Sequence, residues 1–494
     1  MGRSPRPSAA VILTRGSPRD FEVYLVLRAR SMRFLGGMFA LPGGVVAEED
    51  GAGASDECLR ACALRELFEE TGVLLPPLSI PDREGLRKRL SEGDPEARSA
   101  FARFAGAGGG APAAAEAGRS LESVLSLTTP PFGPVRYESV YFHRALPEGE
   151  NPRIVPGEVE DGRFRRPAEW LDSWRKGEIL IVPPVVFVLE RLAGRELKDG
   201  LAAASAGARA LEEGKLHPVR FTPGLSVFPL ATPTLPPAST TNAFFVGEEG
   251  FYVVDPAPVD RRETERLLEA ISERGDRPQG ILLSHHHPDH VGAAGAVARA
   301  FGLKIRAHRL TLERTRFPDS MTGAPVEDGE RIGLGRAPDG RPGWTLRALF
   351  TPGHDRGHLA FIESRYRSVL AGDLVSTVST IVIDPPEGHL ATYLASLRRL
   401  LAEDPGMVYP SHGLPRRDGM DLLREYLDHR ALREEALVAA LASGLETVGE
   451  LTPRVYPDVP RMVHRLASRS LIAGLEKLVE EGRAERTGDR YRPA

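Results

Sequence analysis

Four apolar, strand-like segments each run into a residue with metal-binding chemistry, and no other feature restricts the folds open to this chain as strongly. Ile281-Leu282-Leu283 leads into His285-His286-His287-Pro288-Asp289-His290. Thr345 to Phe350 leads through Thr351-Pro352-Gly353 to His354, Ser368-Val369-Leu370-Ala371 precedes Asp373, and Met407-Val408-Tyr409-Pro410 precedes His412. Each of these groups lies just past a strand end, where loops from a rigid sheet converge on one point. Imidazole and carboxylate ligands suit zinc, with iron or manganese as alternatives. His286 alternates with His285 and His287, so it is expected to point away from them, as packing or support. Isolated histidines such as His217 and His464 read as surface or core filler.

A second ligand-rich stretch is Arg65-Glu66-Leu67-Phe68-Glu69-Glu70-Thr71-Gly72-Val73, downstream of Leu41-Pro42-Gly43-Gly44. The pattern predicts a helix from about Asp56 to Thr71, stopped by Gly72 in the C′ position. Glu66, Glu69 and Glu70 are three and four residues apart and so project from one side of it. Like charges crowded there repel, and a hard divalent cation with oxygen ligands, Mg²⁺ or Mn²⁺, resolves the conflict. Such an ion can bridge a diphosphate and activate water.

At 494 residues the chain is long enough for about three domains. Around the two motifs the pattern divides it into a first domain at 8–194, a linker at 195–216, a second domain at 217–424 and a third at 425–494. Within the first, Ala9 to Leu13 and Phe21 to Leu27 read as strands, and about 78–125 reads as a helical insertion. The small-residue stretch Ala105 to Gly118 is expected to be flexible. The Ala-, Gly- and Glu-rich stretch 195–216 lacks a core-forming period and reads as the linker. From 217 onward strand, turn and helix repeat, with a hairpin from Thr241 to Asp255 across Gly247-Glu248-Glu249-Gly250. Near Glu425 the strands stop, and three helices and a small hairpin turning at Gly488 follow.

The net charge of −4 gives no overall attraction to nucleic acid or anionic membrane. The only cysteines, Cys58 and Cys62, exclude a disulfide framework and fit a reducing cytosol. No signal peptide is recognised, and no apolar run reaches the roughly 18 residues that span a bilayer. The expected location is cytoplasmic, without a membrane partner.

Arg65 to Val73 resembles the Nudix box at every position. Gly51 and Glu57 also fall at the box's spacing, but the Pro-Gly-Gly loop ends at Gly44, seven residues before Gly51. The loop therefore carries an insertion, and pairing of Glu57 with Arg65 does not follow from spacing alone. Thr128-Thr129-Pro130-Pro131, Arg136-Tyr137 and Val140-Tyr141-Phe142 look like the coenzyme A diphosphatase branch of that superfamily. The resemblance implies catalytic roles for Arg65, Glu66, Glu69 and Glu70, with the three glutamates holding Mg²⁺ or Mn²⁺.

The histidine set resembles the metallo-β-lactamase superfamily. Carried over, His285, His287 and His354 would hold one Zn²⁺ (or iron or manganese), and Asp289, His290 and His412 a second, with Asp373 bridging. The two ions would share a hydroxide formed from a water whose pKa falls toward roughly 7, and Asp289 is counted among the catalytic residues. His358 occupies a place where the superfamily often has a supporting histidine. The last part of the chain is similar to lactamase-like proteins that end in a winged helix, a group that includes endoribonucleases. Arg461, Arg465 and Arg469 form a basic stripe on its third helix, read as a solvated face.

The expected fold is thus multidomain α+β and α/β: a Nudix α/β/α sandwich, an αββα metallo-β-lactamase sandwich and a small winged-helix domain. The expected protein is a bifunctional hydrolase. Its first half would cleave a nucleotide-linked diphosphate, coenzyme A or an acyl derivative being favoured, and its second half an ester or thioester. RNA processing, with RNA as partner, is the alternative, and regulation by a nucleotide-sensing Nudix module is a third. A true β-lactamase is not expected, because it would need export to meet its substrate.

Overall fold

The computed structural model describes residues 4–32, 35–51, 53–105, 112–132 and 135–494. It divides into two compact units, one of residues 1–130 and 134–223, the other of residues 131–133 and 224–494. Among the described residues no helix is long and apolar enough to cross a membrane.

The first unit is built on one seven-stranded sheet: β1 (Arg6–Gly16), β2 (Phe21–Arg28), β3 (Phe39–Ala40), β4 (Gly43–Val45), β5 (Glu122–Thr128), β6 (Tyr137–Ala145) and β7 (Val159–Arg165). The order is β3-β2-β1-β6-β5, with β4 also on β1 and β7 on β2, and β1 runs parallel to β6. Helix α1 (Asp56–Thr71) has the predicted bounds. Ser55 caps its start by accepting from Cys58 N, and Gly72, with φ 74°, ends it in the left-handed region that glycine adopts without strain. Leu59, Ala63 and Leu67 of α1 pack on Ala9, Val11 and Leu13 of β1. That i, i+4, i+8 spacing puts these three on the face toward the sheet, and Phe68 and Glu70 are buried as well.

The insertion is helical: α2 (Arg83–Ser91), α3 (Pro95–Ala105) and α4 (Pro112–Arg119). It belongs to the same core, with Phe101 of α3 stacked on Phe68 of α1 at 5.4 Å between ring centroids. The small-residue stretch expected to be flexible from Ala105 to Gly118 needs correction. Residues 106–111 lie outside the described residues, but most of the remainder is α4, and Arg60 of α1 donates to Gly118 O at 2.8 Å. Helices α5 (Pro167–Arg175) and α6 (Pro183–Leu192) follow. Most of the expected linker is α7 (Leu197–Glu212), a helix of the first unit with Gly200, Leu201, Ala204 and Ala208 buried. A Cβ on Gly200 would meet Leu192 Cδ2 at 2.8 Å, and one on Gly207 would meet Arg191 Nε at 2.6 Å. The small residues therefore allow close approach to α6, and with Leu201 as the one large apolar side chain among these buried residues the stripe is too sparse to be recognised as a packed helix.

The second unit holds two five-stranded sheets. The first comprises β8 (Leu225–Ala231), β9 (Thr240–Val246), β10 (Phe251–Val254), β11 (Pro278–Leu282) and β12 (Ile305–Arg306), in the order β12-β11-β10-β9-β8. The second comprises β13 (Arg331–Gly335), β14 (Trp344–Phe350), β15 (Leu359–Glu363), β16 (Val369–Gly372) and β17 (Val408–Pro410), in sequence order. The predicted hairpin is β9-β10. The sheets meet where Phe244 of β9 packs edge-on against Tyr409 of β17, 6.2 Å between centroids. Helices α8 (Arg261–Glu273), α9 (Pro288–Val291), α10 (Ala294–Phe301), α11 (Arg309–Thr315) and α12 (Leu390–Ala402) connect the strands.

The chain ends in α13 (Gly419–Ala442), α14 (Val448–Val455), α15 (His464–Glu480) and a hairpin of β18 (Ala484–Thr487) with β19 (Arg490–Pro493). The boundary expected at 425 falls inside α13. Leu422, Leu423 and Tyr426 join the core of the second sheet, whereas Leu437, Ala440 and Leu441 join the terminal core. One continuous helix thus serves two cores, so no linker composition marks the division.

Candidate metal centres

Strand β11 ends at Leu282, and the chain bends at Ser284 before His287, which occupies the N-cap position of one-turn helix α9 with Pro288 at its first position. His285 and His287 fall in one ligand group, and the helical turn places Asp289 and His290 in another. His285 Nε2 and His354 Nε2 lie 2.9 and 3.1 Å from His287 Nδ1. These three and Asp373 offer ligand atoms all within 4.8 Å of one another, and Asp289, His290 and His412 form a second such group. Asp373 faces both: its Oδ2 is 3.5 Å from His354 Nε2, and its Oδ1 is 3.4 Å from His412 Nε2 and 3.6 Å from His290 Nε2.

The outward nitrogens of three rings are tied to acceptors. His354 Nδ1 is 3.0 Å from Val382 O, His412 Nδ1 3.0 Å from Thr240 O, and His290 Nδ1 3.0 Å from Asp255 Oδ2. Donating there leaves each Nε2 lone pair turned inward, the tautomer a metal ligand needs. Burial pushes His285 well below the usual histidine range and His287 down to about 3, so both rings are neutral. Burial opposes charge on His290 and His412 too, but the Asp373 carboxylate outweighs it and holds both above that range. The site thus draws positive charge to itself. His290 Nε2 and Asp373 Oδ1 are also sealed from solvent without a hydrogen-bond partner, a costly state for two polar atoms side by side. A divalent cation satisfies both demands, and the donor set fits one.

Residues not singled out from the sequence complete this centre. Asp255, at the end of β10, is buried and accepts from Ser284 N at 2.7 Å and Ser284 Oγ at 2.6 Å besides facing His290. Its position past an apolar strand is the signal shared with the expected ligands. Asn242 donates to Pro410 O and Gly413 O at 2.8 and 2.9 Å, fixing the loop that carries His412. His358, the expected support, accepts Asp373 N–H at 3.0 Å on Nε2 and pairs through Nδ1 with Thr351 Oγ1 at 2.9 Å. Burial holds it down to about 3, in keeping with a neutral acceptor.

In the first unit Glu66, Glu69 and Glu70 emerge together beside the glycine loop. Gly43 N donates to Glu70 Oε2 at 3.0 Å. A Cβ on Gly43 would lie 2.4 Å from Ala9 O, so glycine is needed there, and one on Gly44 would push against the Glu66 carboxylate at 2.3 Å. Burial pushes all three carboxyls up, reinforced for Glu69 and Glu70 by Glu66, and Glu69 reaches about 7. Glu158, just before β7, adds its charge against the ionisation of each, and the sequence reading missed it. Arg65 pairs with two of these carboxylates, Glu66 and Glu69, and carboxylate oxygens are the ligands a hard cation takes.

Arg65 Nη1 reaches Glu66 Oε1 at 2.7 Å and Glu69 Oε2 at 3.5 Å. Its Nε and Nη2 grip Asp50 at 2.9 and 2.7 Å, and Nη2 also donates to Val45 O at 3.1 Å. Glu57 is exposed. The partner that the box's spacing assigns to Glu57 is therefore supplied by Asp50 from the inserted loop.

Three family profiles match the chain in order: the NUDIX domain over residues 4–103, the Metallo-beta-lactamase superfamily over 236–412 and the Beta-lactamase associated winged helix domain over 447–492. Lactamase-like protein vrtG of Penicillium aethiopicum is 29% identical over 195 residues, 39% of this chain and 57% of that protein. The chain thus spans little more than half of that relative. Atrochrysone carboxyl ACP thioesterase of Aspergillus fumigatus is 25% identical over 233 residues, 44% of this chain and 69% of that protein. A crystal structure of a NUDIX hydrolase from Alicyclobacillus acidocaldarius is 25% identical, with a TM-score of 0.33, across 41% of this chain and 97% of that one.

Proposed function

We propose that this chain, a hydrolase carrying a NUDIX domain, a metallo-beta-lactamase superfamily domain and its associated winged helix in that order, works at two metal-dependent sites. The NUDIX half cleaves the diphosphate of a nucleotide-linked metabolite, coenzyme A or an acyl-coenzyme A, with Mg²⁺ or Mn²⁺. The lactamase half hydrolyses an ester or thioester with two Zn²⁺, or iron or manganese. The observation that carries the second assignment is the two-sided placement of Asp373, one oxygen toward His354 and the other toward His290 and His412.

Bound ions would supply a low-pKa water and polarise the carbonyl under attack. The chain's own residues do the rest. Val382 O, Thr240 O and Asp255 fix which nitrogen each ring turns inward, and His358 holds the Asp373 backbone. At the other site Arg65 aligns Glu66 while Gly43 N holds Glu70. Thioester chemistry gains support from a relative whose name is that of an acyl-carrier thioesterase. A cytoplasmic setting belongs to the same proposal, with Cys58 and Cys62 both as free thiols.

The test is product analysis by mass spectrometry after incubation with an acyl-coenzyme A, Mg²⁺ and Zn²⁺. Acyl-phosphopantetheine and 3′,5′-ADP should form and vanish in Glu69→Gln. Free coenzyme A and the acid should form and vanish in Asp289→Asn. If neither pair of products forms, the substrate assignment fails and single-stranded RNA is tried next.

A further inference from the structure

The two ligand groups are braced unequally. In the second, His290 and His412 each rest on an interior acceptor, Asp255 and Thr240 O. In the first, His354 has Val382 O and His285 Nδ1 has Ser284 Oγ at 3.0 Å. His287 turns Nδ1 inward, and its other nitrogen has no hydrogen bond among the described residues. What stands beside it is His286, with the two ring centroids 4.9 Å apart.

His286 is the middle of a line of four side chains. Its Nε2 lies 3.3 Å from Arg314 Nη1, and Arg314 is held from behind by Glu387. A guanidinium only donates, so Nε2 must accept and the ring proton must sit on Nδ1. That Nδ1 lies 2.5 Å from Asp355 Oδ2, an ion-pair contact rather than an aligned hydrogen bond. Asp355 is buried, and its other oxygen accepts Gly357 N–H at 2.7 Å. Asp355 directly follows His354, as His286 directly precedes His287. The line therefore joins, one residue away from each, the two loops that deliver these ligands.

We propose that His286, oriented by Arg314 and Glu387 and paired with Asp355, is a positioning residue that locks the His287 loop to the His354 loop. It thereby sets the metal affinity of the first ligand group without affecting the second. The inference rests on the reading that the histidine and aspartate set holds two metals. It also accounts for a histidine that alternation turns away from the ligands and that nonetheless lands on a buried carboxylate.

Zinc retention by the full chain tests it: elemental analysis after dialysis against graded chelator, with excess Mg²⁺ occupying the carboxylate helix. Wild type should hold two zinc ions in this unit. In His286→Ala one should leave at a chelator concentration about 10- to 100-fold lower, while the other leaves as in wild type. His286→Asn keeps a donor where Nδ1 stood and should restore most of that retention. Arg314→Met, a change at the outer end of the line, should weaken the same ion by less than His286→Ala does. Loss of both ions together, unchanged retention, or an asparagine variant no better than alanine would each overturn the proposal. So would three zinc ions in wild type falling to two in His286→Ala, since His286, His287 and Asp355 themselves lie within 4.8 Å of one another and would then be ligands. A wild-type chain that takes up no zinc would instead remove the two-metal reading, and this proposal with it.

Discussion

Replacing Asp50 with asparagine should loosen α1 far more than removing Glu57, although the motif's spacing points to Glu57. Arg65 and Asp50 are each about 3% exposed and are joined by two bonds of 2.7 and 2.9 Å. Disrupting a buried, bidentate ion pair costs about 3–5 kcal/mol. Asparagine turns an NH₂ toward a guanidinium that only donates, while Glu66 and Glu69 still partly balance the arginine's charge. The lower end, about 3 kcal/mol, is therefore expected, or roughly a hundredfold faster exchange of the protected α1 amides. Glu57 is exposed in the first turn, so Glu57→Ala forfeits only its interaction with the helix dipole, below about 1 kcal/mol. Hydrogen exchange of peptides covering residues 56–71, read by mass spectrometry, isolates this helix within the full chain. The reasoning is refuted if Glu57→Ala loses as much protection as Asp50→Asn, or if Asp50→Asn exchanges like wild type.

Four further outcomes follow from the geometry. Glu69 has a pKa raised to about 7 by burial and by Glu66; only its ionised form binds a cation, so calorimetry should find Mg²⁺ binding roughly tenfold tighter at pH 8 than at pH 6, and equal affinity would contradict it. Because that folded-state pKa exceeds the ordinary 4.5, the Mg²⁺-free protein should lose stability as pH rises from about 4.5 through 7, and Mg²⁺ should restore it. Asp255→Asn should lower zinc affinity about 10- to 100-fold by releasing the His290 tautomer, and unchanged zinc retention would deny Asp255 that role. Phe101→Ala should cost about 3–5 kcal/mol in thermal or urea unfolding, because Phe101 is 1% exposed and stacked on Phe68; a loss below 1 kcal/mol would mean that the insertion is not part of the core.

Much of this protein was legible without coordinates because its signals are local. The end of α1 was legible from Gly72, which tolerates the left-handed region, and its start is fixed by a cap at Ser55 that the structure shows. The His285–His290 pattern lies in one short stretch between a strand end and one helical turn. His354, Asp373 and His412 were recognisable because each follows an apolar strand. Where packing rather than local preference decides, the sequence was silent or misleading. Helix α7 packs through a glycine and alanine stripe with the composition of a linker, and α13 crosses the expected boundary because two cores share it. Asp50 displaces Glu57 because a loop insertion brought a closer carboxylate to Arg65. Asn242 and Glu158 carry no motif and act only through neighbours distant in sequence, whereas Asp255 shares the strand-end position of the ligands but lacks their motif. The sequence by itself determined which residue types stand ready for metals and on which elements. Only the tertiary structure decided which groups orient them, because a histidine's tautomer and a carboxylate's charge are set by buried partners that the fold brings in from elsewhere in the chain.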